Sequence, residues 1–538
     1  MPLNSTADTY DYVVVGAGPA GCAVAARLSR RPGCRILLID AGGPDRHPLF
    51  RVPMAALLTM RDPRYTWRFE TEPEPGLQGR APSWYGGRVL GGGSVINGMM
   101  YLRGHPADYD RWRDEAGCER WGFSDILPYF KRAEASDRGA DAWHGGTGPI
   151  RISRGSADVP IAAAFLDAMA SAGLPILDDL NADAVEGFGY YDRAIANGKR
   201  SSASRAYLHG VADREALTVL PHAQATGLVS EGTRICGVRF IRHGRLHEAR
   251  ADREVILTAG CVNSAKLLLL SGIGPAEQLS RLGITVLADL PVGRNVQNHV
   301  AYAIPYALPA PITAFEYRRP ARAAAAVADY LLQRRGMLAG PPCPVGGLLR
   351  ADVDADVADT QIILGAGLPG KGGGLRGLLP SASGFMLMIN QGRPFSRGEI
   401  GLRSADPIAA PLIRSGHFND PRDLALLTKA TVTMRTLIGN ARFGGVMASE
   451  IGDGAAIVET PALASHISRK AQSYYHMVGS CRMGSDSDAV VDTQLRVHGV
   501  EGLRIADTSI APLLVNGNTT AMALMIGERA ADFIASGE

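Results

Sequence analysis

The chain has 538 residues, too many for one simple core, so two closely packed domains are expected. Its 56 basic and 53 acidic residues leave a formal net charge of +3, with Arg27, Arg30, Arg31 and Arg35 interleaved among apolar residues, which argues against a nucleic-acid partner. Seven scattered cysteines without a C-x-x-C pair, no basic start leading into an apolar run, and no apolar stretch near the roughly 18 residues of a spanning helix argue against disulfide frameworks, metal sites, signal peptides and membrane spans, and point to a soluble cytoplasmic protein.

In chain order, residues 11–40 read DYVVVGAGPAGCAVAARLSRRPGCRILLID. The run Tyr12–Val15 predicts a strand, the glycines break it, an alanine-rich segment to about Leu28 predicts a helix, and Ile36–Ile39 predicts a second strand ending in Asp40. Strand, glycine turn, helix, strand and acid in that order lay out a dinucleotide site. Gly16 permits the tight turn, Gly18 lets the backbone approach a pyrophosphate, and Gly21 lets the helix lie close to the strand. The N-terminus of the helix after this turn faces the phosphates with free N–H groups, and Pro19 and Ala20 of the turn count among the cofactor contacts. Asp40, 24 residues beyond Gly16, is placed to accept hydrogen bonds from both ribose hydroxyls, with Ala41 beside it. An acid there disfavours NADP and leaves NAD and FAD open.

A second glycine cluster lies in GGRVLGGGSVINGMMYLRGHPADYD, residues 86–110. Gly91, Gly92, Gly93 and Ser94 imply backbone packed against something flat or anionic, and the apolar flanks Val89, Leu90, Val95, Ile96 and Met99 predict a buried segment rather than a linker. This block resembles the first signature of the glucose–methanol–choline (GMC) oxidoreductases, FAD enzymes that oxidise alcohols. Gly87, Arg88, Leu90, Gly91, Gly92, Gly93, Ser94, Ile96, Asn97, Tyr101, Gly104 and Asp110 fall where that signature wants their types. The resemblance implies FAD held by Arg88, Gly91, Gly92, Gly93, Ser94, Asn97, Gly98 and Met99 together with the N-terminal turn. Ile96 stands where relatives with covalent flavin carry a histidine, which implies non-covalent FAD.

Further blocks resemble the family. They are NGKRSSASRAYL from 197, GCVNSAKLLLLSGIG at 260–274, VGRNVQNH from 292, and the C-terminal LRIADTSIAPLLVNGNTTAMALMIGERAAD. Ala259 and Gly260 join the implied cofactor contacts; Cys261 and Ala265 depart from the second signature, small residue for small residue. Asn298 replaces an expected Asp, read as a local contact only. The implied fold is α/β, with a discontinuous Rossmann-like FAD-binding domain (1–155, 200–300 and 465–538). An α+β substrate domain with an antiparallel sheet (156–199 and 301–464) is inserted into it. The glycine-rich segment 367–384 is expected to be mobile, at the pocket mouth.

The stretch YYHMVGSCRMG, 474–484, sets His476 among two tyrosines and small residues. After it an apolar strand is expected to reach Asp507, and a helix to begin near Thr519 or Thr520 with Asn518 or Thr519 as its cap. By resemblance, Asp507, Asn518, Thr519 and Thr520 contact the cofactor, and His476 and Asn518 meet beside the flavin N5 atom. His476 would take the hydroxyl proton, a contribution of roughly 10² to 10⁴ in rate, while Asn518 holds the hydroxyl oxygen and the hydride passes to N5. The other eleven histidines, His105, His144 and His299 among them, are expected to be structural or superficial. Tyr474, Tyr475 and Cys343 are read as pocket wall, Cys343 as a buried structural thiol.

In GPPCPVGGLL, Pro344 stands where relatives that recognise choline carry a carboxylate. The expected substrate is therefore a neutral primary or secondary alcohol, oxidised to the aldehyde or ketone. A dehydrogenase is favoured over an oxidase, with O2, a quinone or another carrier as electron acceptor. A lyase retaining FAD as a structural cofactor and a non-catalytic flavin-binding protein are the alternatives, separated by whether an alcohol bleaches the flavin.

Overall fold

The N-terminal run forms the strand Asp8–Val15 at the heart of a seven-stranded sheet, in a computed structural model that describes residues 8–209, 215–370 and 380–538. Val13 and Val14 are wholly buried, each burial contributing about 1.5–3 kcal/mol. The strand pairs in parallel with Ile36–Ile39 on one side and with the long strand Arg245–Leu257 on the other. Leu217–Leu220 extends the sheet beyond Ile36–Ile39, and Leu503–Ile505 lies parallel to Val255–Leu257. Ala223–Glu231 and Arg234–Arg242 close the remaining edge as antiparallel strands.

Between the first two strands the chain turns at Gly16, at φ +109°, and enters the helix Pro19–Leu28. A Cβ on Gly21 would stand 1.9 Å from the Gly16 carbonyl oxygen, so helix and turn touch only because that position carries no side chain. Every residue of this helix from Ala20 to Ala26 is buried, as a crossover helix flat against a sheet must be.

A second seven-stranded sheet is antiparallel throughout. Along it run Ser449–Glu450, Val300–Ala307, Gly384–Gln391, Thr360–Gly365, Val345–Leu349 and Gly187–Tyr190, with Gln472–Ser473 added beside Val300–Ala301. It has its own core, in which Phe188, Ile304, Phe385, Leu387 and Ile389 are buried. The two sheets meet where Gln472–Ser473 leaves the second, and where the C-terminal helix Thr519–Ser536 begins after the last strand of the first. No helix among the described residues is long and apolar enough to cross a membrane.

Candidate active site

A cavity of about 1450 Å³ opens at this junction. The N-terminal turn contributes Gly16, Gly18, Pro19, Ala20, Asp40 and Ala41 to its wall, and the second glycine block contributes Gly92, Gly93, Asn97, Gly98 and Met99. Ala259, Gly260 and Asp507 follow, then Asn518, Thr519 and Thr520 from the start of the C-terminal helix. Tyr474, Tyr475, His476 and Cys343 complete the set drawn from sequence.

Four predicted contacts stand behind the wall. Gly21 is packed on the turn, and Arg88 lies over the Trp67 ring at 4.6 Å. Gly91 donates its N–H to the Ala17 carbonyl, and Ser94 is spent on the Gly91 carbonyl and the Ala203 N–H. They shape the cradle from outside.

The cradle suits a dinucleotide. Asp40 accepts the N–H groups of Ala17 and Gly42, both at 2.7 Å, and burial raises its carboxyl to about 6 despite those bonds and the charge of Arg88. A Cβ on Gly92 would lie 2.9 Å from the Gly18 Cα, so the two glycine segments are stacked backbone on backbone. Two helices, Pro19–Leu28 and Thr519–Ser536, present their first turns to the cavity with no acidic residue in either. Both ends therefore offer free N–H groups and positive potential to an anionic or electron-rich guest. Arg200 was not singled out in sequence. It is buried, donates to the Asn97 side chain at 2.7 Å and to the Ser94 carbonyl, and so fixes the amide that in turn donates to Thr520.

His476 reaches the cavity through a break in strand pairing. Val300 pairs with Ser473 and Gln297 with Val478, leaving four residues, 474–477, opposite two, 298 and 299. The longer side must bulge, and it throws Tyr474 to Met477 into the cavity wall. Tyr475 adopts φ +64°, a left-handed conformation unusual for an aromatic residue. Its N–H is held by the Ser473 hydroxyl, and its ring stands edge-on to Tyr85.

Asn298 fastens the bulge. Its Oδ1 accepts the His476 N–H at 2.8 Å, while its Nδ2 donates to the Ser473 hydroxyl at 2.7 Å. The asparagine is thus a direct brace of His476, more than the local contact expected. His299, expected to be structural or superficial, is fully buried and lies directly against His476, with Nδ1 2.8 Å from His476 Nδ1 and Nε2 3.0 Å from the Gly392 carbonyl. A clue was available: both residues sit in the block VGRNVQNH, which resembled the family without being given a role.

On its other side His476 Nε2 lies 3.3 Å from Asn518 Nδ2. Asn518 begins the C-terminal helix, yet its side chain makes no capping bond; Oδ1 instead accepts from Gln361 Nε2 at 3.3 Å. Gln361 is oriented by Asn390, whose Nδ2 donates to Gln361 Oε1 at 3.2 Å. Burial, and next to it the neighbouring His299, hold His476 well below the usual imidazole range, so the ring is neutral and able to accept a proton.

The wall beside this pair is uncharged, with Met100, Pro342, Cys343, Met386, Met388 and Tyr474 among its residues. Pro344, expected there, is instead buried with its carbonyl on the Tyr191 N–H; Pro342 and Cys343 face the cavity. The Cys343 thiol is pushed up to about 12 by burial, which suits an inert wall residue. Among the described lining residues the carboxylates are Asp40, Asp62 and Asp507. Asp40 holds backbone N–H groups, Asp62 pairs with Arg64, and Asp507 takes the Gly260 N–H and the Ser264 hydroxyl. Gly367, Leu368, Pro369, Gly370 and Pro380 also line the cavity; residues 371–379 of the expected mouth loop lie outside the described residues.

The cluster of His144, Asp179 and Asp192 has metal-ligand types but is an internal ion network. His144 bonds Glu134 and Asp179, and Arg103 and Arg138 balance the acids.

Residues 10–301 match the family model for the N-terminal part of the GMC oxidoreductases, and residues 394–527 match that for the C-terminal part. The chain is 37% identical to the mitochondrial choline dehydrogenase of Homo sapiens, covering 99% of this chain and 90% of that protein. It is 38% identical to the oxygen-dependent choline dehydrogenase of Brucella anthropi, covering 97% and 95%. Among solved structures, pyridoxine 4-oxidase from Mesorbium loti superposes with a TM-score of 0.86 at 32% identity, over 97% of this chain and 98% of that one. The chain belongs to the GMC oxidoreductases.

Proposed function

We propose that this protein oxidises a neutral primary or secondary alcohol to the aldehyde or ketone, with non-covalently bound FAD, His476 as the base and Asn518 as the anchor of the hydroxyl. The observation that carries this reading is the His476–Asn518 pair, 3.3 Å apart, in the wall of the same cavity that holds the glycine turn and Asp40.

Asp40 would take the ribose, the first turn of the helix Pro19–Leu28 the pyrophosphate, and the first turn of the helix Thr519–Ser536 the electron-rich ring. When bound, FAD supplies the two-electron acceptor for the carbinol hydride. The residues of the chain do the rest. Asn518 Nδ2 donates to the substrate oxygen and fixes which way the carbinol C–H points. His476 Nε2 accepts the hydroxyl proton, because a neutral alcohol is a poor hydride donor and a developing alkoxide a good one. The apolar wall excludes water and strengthens both hydrogen bonds.

A dehydrogenase is favoured over an oxidase, with O2, a quinone or another carrier as the electron acceptor, and seven free cysteines suit a reducing cytoplasm. The 37–38% identity to choline dehydrogenases favours a second reading in which choline itself is the substrate. The chamber opposes it, since the wall beside His476 and Asn518 is uncharged among the described residues, with no carboxylate set against a quaternary ammonium. An anaerobic panel of neutral aliphatic and aromatic alcohols beside choline, read by flavin bleaching and then by reoxidation in air, tests both points. Bleaching by neutral alcohols with little response to choline is expected; rapid bleaching by choline alone would overturn the substrate assignment. Slow reoxidation in air supports a carrier, and fast reoxidation supports an oxidase.

A further inference from the structure

We propose that His299 is a positioning residue that fixes the tautomer of His476, leaving the basic lone pair on Nε2, the nitrogen that faces Asn518. This rests on the reading of His476 as the base.

The argument starts from an atom that can only accept. The Gly392 carbonyl lies 3.0 Å from His299 Nε2, so that nitrogen carries the hydrogen. His299 is fully buried, and burial lowers it to about 4, so the ring is neutral and owns a single N–H. Its Nδ1 is therefore a bare lone pair. His476 Nδ1 stands 2.8 Å from it and must bring the hydrogen to that contact; the opposite tautomer would set two lone pairs face to face. A neutral His476 with hydrogen on Nδ1 has its lone pair on Nε2.

A second chain of bonds reaches the same conclusion from the other side. Asn390 Nδ2 donates to Gln361 Oε1, and Gln361 Nε2 donates to Asn518 Oδ1. This turns Asn518 Nδ2 towards His476 Nε2, where a donor needs a lone pair. Gly392, Gln361 and Asn390 all belong to the antiparallel sheet or its immediate end, so that sheet sets the tautomer from both directions. In the step itself the substrate O–H bond breaks and the His476 Nε2–H bond forms. The resulting imidazolium keeps its Nδ1–H on His299, a neutral acceptor. The other groups against the pair are Asn298, the Tyr474 ring, 5.1 Å from His476, and the backbone of Val515 beside His299, none of them charged.

The test uses the FAD-loaded enzyme and three variants that separate the two nitrogens of His299. In His299→Asn the side-chain Oδ1 replaces Nδ1 as the acceptor and the Gly392 bond is lost. In His299→Gln the amide nitrogen still reaches Gly392, but His476 Nδ1 loses its acceptor. His299→Phe loses both. The expected result is that His299→Asn keeps the anaerobic rate of flavin reduction within about fivefold, while Gln and Phe lose about a hundredfold. KM should change little, and the acid limb of the kcat/KM profile should move only in the variants that lack the acceptor. Nitrogen-15 NMR of histidine-labelled holoenzyme, assigned with His476→Gln, should show the His476 proton on Nδ1 in the wild type and a mixed tautomer in His299→Phe. A wild-type proton on Nε2, or activity kept by Gln and lost by Asn, would overturn the proposal and make His299 a brace for Gly392. If His299→Phe fails to fold, the wild-type spectrum and the Asn/Gln pair still decide. Full activity in His476→Ala would instead remove the reading on which the proposal rests.

Discussion

At the residue scale the site is a set of neutral groups kept neutral by burial. Where the family pattern has an Asp, this chain has Asn298, 2.8 Å from the His476 N–H. An acid there would favour the imidazolium, and a base is useful only when unprotonated. Because His476 lies well below its usual range, it should stay unprotonated, and activity should persist, down to acidic pH. In Asn298→Asp the folded pKa of His476 rises, so the acid limb of kcat/KM should move up by about one to three pH units. A pH–rate profile checks this, and an unmoved limb would mean that residue 298 acts through hydrogen bonding alone.

The same scale shows what the sequence could and could not reveal. His476 and Asn518 were legible because each sits in a block that resembles the family. His299 was not, because its role depends on a contact with a residue 177 positions away whose orientation a strand bulge decides. Gln361 is hidden for the same reason, 157 positions from the amide it orients.

At the scale of elements, local order was the most legible. Strand, turn, helix and strand over residues 8–39 follow from a contiguous pattern, though the helix begins at Pro19, inside the stretch read as the glycine turn. Gly21 carries the tightest approach within that unit. Gly21→Ala would drive a methyl group to 1.9 Å from the Gly16 carbonyl oxygen, separating helix from turn. The expected cost is about 1–3 kcal/mol of stability together with a loss of bound flavin, measured by denaturant unfolding and by the yellow colour of the purified protein. The C-terminal helix was also foreseen, with Asn518 or Thr519 at its cap, and Asn518 holds that position without a capping bond from its side chain. Asn518 looks like a cap in sequence, whereas its amide is turned away from the helix towards Gln361 and His476. A capping side chain and one turned into a cavity look alike in sequence; only the neighbours across the cavity distinguish them.

At the scale of the molecule, the cavity lies between two sheets with separate cores, and each sheet supplies part of the chemistry. The first, mixed sheet supplies the glycine turn and Asp40, and the antiparallel one supplies bonds that orient His476 and Asn518. A cofactor seated there bridges both, so stability should depend on flavin. Free FAD at a hundred times its dissociation constant should add about 2.7 kcal/mol and raise the melting temperature of stripped protein. With Ile96 in the cavity wall and no histidine at that position, acid precipitation should release all of the flavin. Flavin left on the pellet would contradict non-covalent binding.

The most direct test of the account is stopped-flow anaerobic mixing of FAD-loaded His476→Ala with a good alcohol substrate. The variant should bind FAD as the wild type does, yet bleach it about a hundredfold more slowly or worse. Bleaching at the wild-type rate would show that the alcohol gives up its proton elsewhere.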